Sequence, residues 1–228
     1  MDKSFAQTYF DFSSVDWSKV QTATYETIYM TVISILFVFV IGMALGILLY
    51  SLGRKNTIVY RILYTVVSII SNIFRSIPFM VLIILIFPIT KMLVGTMLGV
   101  KAGIPALVLS AAPFFARLVE IALREVDSGV LEAANAMGAS RIQIMQKILV
   151  PESLPALISG FTVTTVSMVG FTAMAGFIGA GGLGALAWND GYQLGNYTMT
   201  LVATIIILII VFIIQGIGDT VAKRVDKR

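Results

Sequence analysis

TIYMTVISILFVFVIGMALGILLYSLG, residues 27–53, contains no charged side chain from end to end. A helix needs roughly 20 apolar residues to cross about 30 Å of hydrocarbon, so this run is long enough to span a bilayer. Further charge-free runs cover 62–74, joined to 76–90 across Arg75, then 102–116, 153–189 and 191–218. A membrane barrel would show short alternating segments instead, and none is present. The chain is 58% hydrophobic and 12% charged, against about 25% charged in an ordinary soluble domain. These features predict an all-α polytopic membrane protein, residues 1–228 forming one domain. Its five transmembrane helices are expected at about 26–52, 60–87, 103–124, 153–176 and 197–218.

Cysteine and histidine are both absent. That removes disulfides, thiolate nucleophiles, Cys/His metal sites and imidazole bases together. The 12 acidic residues are scattered, so no metal site and no intramembrane carboxylate pair for ion coupling is expected. Residues before the first run include Asp2, Asp11, Asp16 and Glu26 and lack a basic leader, which reads as a retained span rather than a cleaved signal.

Five spans put the termini on opposite sides. One side carries Arg54, Lys55, Arg61, Arg117, Arg124, Arg141, Lys147, Lys223, Arg224, Lys227 and Arg228; the other carries only Lys3, Lys19, Lys91 and Lys101. The positive-inside rule places the richer side in the cytoplasm, with the N-terminus outside and the C-terminus cytoplasmic. Trp17, Trp188, Tyr25, Tyr192 and Tyr197 then form an interfacial belt on the outer side. The net charge of +4 reflects membrane orientation, and no nucleic-acid partner is expected.

Several features have two readings. Gly42-x-x-x-Gly46 allows close helix approach, or reflects the frequency of glycine in membrane helices. Arg75, costly at about 2.5–3.5 kcal/mol at a helix centre, lines a path, pairs internally or snorkels. Pro78 frees a carbonyl nearby for which Arg75 or Ser76 is a candidate donor. Arg117, Glu120 and Arg124 have the spacing of side-by-side pairs, worth a few tenths of a kcal/mol, and suggest an exposed helix end. The tail of the fourth run, GFIGAGGLGALAWN at 176–189, predicts a bent or re-entrant outer connection. Its Gly179-x-Gly181-x-x-Gly184 spacing lacks the strand and the acid of a dinucleotide site, and no phosphate loop exists elsewhere. ATP, if used, must bind a partner.

The polar stretch 127–151 is ordered by its own signals. Asp127 or Ser128 caps a short helix running to about Met137, and Gly138 suits the left-handed end. Ser140 and Gln143 make a capping box for a second short helix, expected to stop at Pro151. With Ala133, Ala134 and Ala136 on the first helix and Glu132 at its rim, the pair reads as a cytoplasmic docking elbow.

That elbow resembles the EAA loop of ABC-importer permeases: Glu132-Ala133-Ala134, three residues, Gly138, nine residues, then Ile148-Leu149-Val150-Pro151, with Val150 where the pattern has leucine. NIFRSIPF, AAPFFARLVE and FTAMAGFIGAGGLG extend the resemblance, over essentially the whole chain, to methionine-importer permeases. The resemblance implies a type I permease with a coupling-helix pair at about 128–149. Glu132, Ala133, Ala134, Met137, Gly138 and Ile142 are then the residues that meet the ATPase. It also implies a homodimer on two cytosolic ABC ATPases, which bind ATP and magnesium, fed by an extracytoplasmic binding protein in a bacterial cell membrane. No cofactor is expected on this chain itself.

In such permeases the segment matching Phe171–Met174 lies on the translocation path. Met174 and Phe171 become gate candidates, against plain helix packing, with Met168 and Arg75 as further path residues. The expected function is import of methionine, as the D- or L-form or both, by alternating access. The alternatives are another small amino acid such as cystine, or a self-sufficient carrier or channel.

Overall fold

The computed structural model describes residues 8–55 and 57–226. Lys3, Lys227 and Arg228 of the charge count lie outside the described residues. Those residues form helices and turns with no strand among them, and five helices are long and apolar enough to cross a membrane.

Helix α1 (Trp17–Gly53) starts well before the expected span because the Asp16 carboxylate accepts the Ser18 and Lys19 backbone N–H groups, at 3.1 and 3.2 Å. These donors would otherwise be orphans of the first turn. The single span expected over 60–87 is instead three helices: α2 (Ile58–Ser76), α3 (Phe79–Leu85) and α4 (Phe87–Val94). Pro78 causes the first break: it sits extended at φ −56°, ψ 135°, and its ring disfavours helical backbone at Ile77. Helix α5 (Val100–Arg124) follows a glycine turn, and α6 (Ser128–Ala136) and α7 (Arg141–Ile144) are the short pair.

Pro151 does not stop the second short helix. The chain passes through a π turn at Met145–Leu149 directly into α8 (Val150–Ala175). The Val150 N–H bonds the Met145 carbonyl five residues back. This widening, with Pro151 in a first turn where a missing N–H costs little, lets the helix run on. Beyond α8 come a kinked π turn (Gly176–Ala180), α9 (Gly182–Ala185), a second π segment (Leu186–Gln193) and α10 (Tyr197–Val225).

The chain divides into two compact units. One takes in the described residues up to Phe37 with Ile77–Ser110 and Thr165–Ile214; the other takes in Val38–Ser76, Ala111–Thr164 and the described residues from Gln215.

In the first unit, Val20 and Ala23 pack with Leu183, Leu186, Met199 and Val202. The expected bend at 176–189 is present. Gly179 and Gly181 adopt φ +90° and +84°, which only glycine takes without strain. The freed donors are satisfied from α1: the Glu26 carboxylate accepts the Gly182 N–H at 2.7 Å, and the Thr27 hydroxyl accepts that of Leu183 at 2.8 Å. Lys19 pairs with Asp190 across the same two segments. Of the aromatic residues expected in an outer belt, Trp17, Tyr25, Tyr192 and Tyr197 are exposed and Trp188 is half-buried.

In the second unit, α1 lies against α5 through its glycines. A Cβ on Gly42 would stand 2.7 Å from Phe115 Cδ1, and one on Gly46 would stand 2.7 Å from the Ala116 carbonyl oxygen. Close approach is therefore the reading the structure supports. In lipid such contact yields dispersion energy where no hydrophobic drive between helices exists.

Candidate functional site

The short pair is built almost entirely from local capping. Asp127 caps α6, its carboxylate accepting the Gly129 N–H at 2.6 Å. At the other end Gly138 turns left-handed at φ +79°. Its N–H reaches the Asn135 carbonyl at 2.9 Å, and the Ala139 N–H reaches that of Ala134 at 3.1 Å. This is the six-to-one and five-to-two closure that satisfies a helix C-terminus. Ser140 and Gln143 then exchange both capping-box bonds, at 2.8 and 3.3 Å, opening α7.

The caps fix which face points out. Leu131 and Ala134 are buried, while Glu132, Ala133, Met137, Gly138 and Ile142 are exposed. Ala134 thus belongs to the inner face of α6. Met137 is 81% exposed and Ile142 69% exposed. Apolar surface left in water costs about 25 cal/mol per Å². Among the described residues no group of three or more acidic side chains is placed to hold a metal ion.

The path candidates stand in different surroundings. On α8, Phe171 is half-buried and stacks on Phe79 of α3, centroids 5.0 Å apart and planes 16° apart. Met174, one turn on, is 41% exposed. Met168 is completely buried, so its side chain lies within the protomer's own packing. Arg75 lies in the last turn of α2 with its side chain exposed, its guanidinium 6.0 Å from the Phe114 ring centroid. Such a cation–π contact is worth about 0.5–1 kcal/mol at exposed sites. The Ser76 hydroxyl donates to the Asn72 carbonyl rather than to a group freed by Pro78.

Glu120 corrects the picture of an exposed helix end. It is fully buried and accepts four hydrogen bonds. Arg117 donates at 2.7 Å, Arg124 twice at 2.7 and 3.1 Å, and the Tyr64 hydroxyl at 3.0 Å. The i, i+3 and i+4 spacing around the glutamate was visible in the sequence, but its burial under Tyr64 was not. Glu26 was missed as well; its one signal was being the last charge before the first apolar run.

A helical membrane chain carrying this exposed elbow belongs to a known class. It is a member of the family described as binding-protein-dependent transport system inner membrane component, which matches residues 42–227. It is therefore a multi-pass membrane transport component and not an enzyme. It is 57% identical over 217 residues to the methionine import system permease protein MetP of Bacillus subtilis, covering 95% of this chain and 98% of that protein. To the probable D-methionine transport system permease protein MetI of Haemophilus influenzae it is 46% identical, covering 93% of this chain and all of that one. Its fold matches a chain of the inward-facing MetNI methionine ABC transporter with a TM-score of 0.88 and 42% identity, over 92% of this chain and 98% of that one.

Proposed function

We propose that this chain is the permease subunit of an ATP-driven methionine importer, a single permease domain acting as a homodimer on two cytosolic ABC ATPases. ATP and magnesium act on those partners, and an extracytoplasmic binding protein delivers the amino acid. The observation that carries the substrate is 57% identity over 95% of the chain to a permease named for methionine import. The observation that supports coupling is the exposed face of Glu132, Ala133, Met137, Gly138 and Ile142, with Ala134 behind it as packing. The basic excess on loops 54–61 and 117–147 and at Lys223–Arg224 supports a cytoplasmic position for that face and an external N-terminus.

In this reading ATP binding draws the two elbows together, and the motion passes along α8, which the elbow enters without a break. Met174 and Phe171 sit farther along the same helix and act as an apolar gate, while Arg75 contributes to the path's wall. The test is uptake of labelled D- and L-methionine and of cystine by vesicles holding the complete importer. ATP- and binding-protein-dependent accumulation of methionine, suppressed by Glu132→Lys, is expected. Cystine uptake in its place would overturn the substrate.

A further inference from the structure

Two groups of basic side chains in this protein have contrasting partners. Arg117, Arg124 and Lys19 each pair with a carboxylate. Arg54 and Lys55 are held by tyrosines instead. Arg54 Nη1 donates to the Tyr50 hydroxyl at 2.7 Å, and Lys55 Nζ stands 3.7 Å over the Tyr60 ring. Tyrosine positions a cation without cancelling its charge. Arg54, Lys55 and Arg141 all line one cavity of about 350 Å³ between the end of α1 and the short helix pair. Among the described residues no carboxylate lines it.

We propose that this cavity binds the phosphate headgroup of an anionic phospholipid. A guanidinium presents paired donors matched to phosphate oxygens, and the ammonium adds a point charge. Depth argues for a lipid: Arg54 and Lys55 follow directly on the charge-free run 27–53, so they stand where hydrocarbon gives way to headgroups. Part of the remaining lining also argues for a lipid, beside the polar Tyr50, Ser51 and Asn135. Leu131, Ile144, Met145 and Leu149 give the cavity an apolar wall that suits a glycerol and acyl segment better than a free ion. A headgroup there ties the end of α1 to the elbow. Its effect on transport rests on the coupling role proposed above; the binding itself does not.

The experiment uses the complete permease–ATPase complex and measures binding of labelled phosphatidylglycerol in phosphatidylcholine nanodiscs. The triple variant R54Q/K55Q/R141Q is expected to bind roughly a hundredfold more weakly. The charge-conserving triple R54K/K55R/R141K is expected to stay within about tenfold of the native protein. Equal binding by the glutamine variant overturns the proposal, and so does equal loss in both variants, which marks packing rather than charge. Displacement by glycerophosphate at the same concentration as the diacyl lipid assigns the site to a free phosphate and overturns it too. Loss of ATPase association by the glutamine variant in pure phosphatidylcholine would assign the cations to the protein partner, against the proposal. ATP-driven uptake that rises with phosphatidylglycerol only in the native complex supports the link to coupling.

Discussion

Glu120 and Glu132 stand twelve positions apart and have opposite fates. Glu120, near the C-terminal end of α5, is fully buried and accepts four hydrogen bonds from three side chains. Glu132, on α6, is exposed. The first resembles a structural lock, because a buried carboxylate survives only when its lone pairs are filled. The second resembles a contact waiting for another molecule, on a surface where Met137 and Ile142 are also left uncovered. The contrast separates a charge satisfied inside its own chain from one left open on the surface, and under the proposed coupling role it is the open one that acts.

That contrast yields a graded set of outcomes. The largest is for Glu132→Lys: ATP-dependent uptake should fall by more than about tenfold, while thermal unfolding of the purified permease moves by less than about 0.5 kcal/mol. Glu120→Ala should do the reverse in kind, lowering stability by about 2–3 kcal/mol in denaturant titration. The discount from a fully buried ion pair arises because Arg117 and Arg124 are about half exposed and regain water. Gly138→Ala should cost about 1–2 kcal/mol, since alanine resists the left-handed backbone there; differential scanning calorimetry would read it. Tyr64→Phe should be smallest, about 0.5–1.5 kcal/mol, because Glu120 keeps its three guanidinium bonds. A Tyr64→Phe loss as large as that of Glu120→Ala would show that Tyr64 and not the arginines holds the lock.

What could be read from the sequence was local. The apolar runs, the left-handed Gly138 and the Ser140–Gln143 box all depend on residues within a few positions of one another, and each is present. Proline was harder to read. Pro78 breaks a helix where one continuous span was expected, and Pro151 fails to stop one, because its place in the first turn and the π turn before it were not encoded in the residue itself. The long-range bonds were invisible: Tyr64 reaches Glu120 across 56 positions and Gly182 reaches Glu26 across 156. Ala134 is an intermediate case, identified with its neighbours by the motif but turned inward by helical phase.

The absence of cysteine makes the exposed surface open to a single direct measurement. Met137→Cys introduces the protein's one thiol at a side chain that is 81% exposed. A membrane-impermeant maleimide should label it rapidly in the isolated permease and at least about tenfold more slowly in the complex with the ATPase, a difference that only burial in a specific interface produces. Equal labelling rates with and without the ATPase would contradict the assignment of this elbow as the coupling surface.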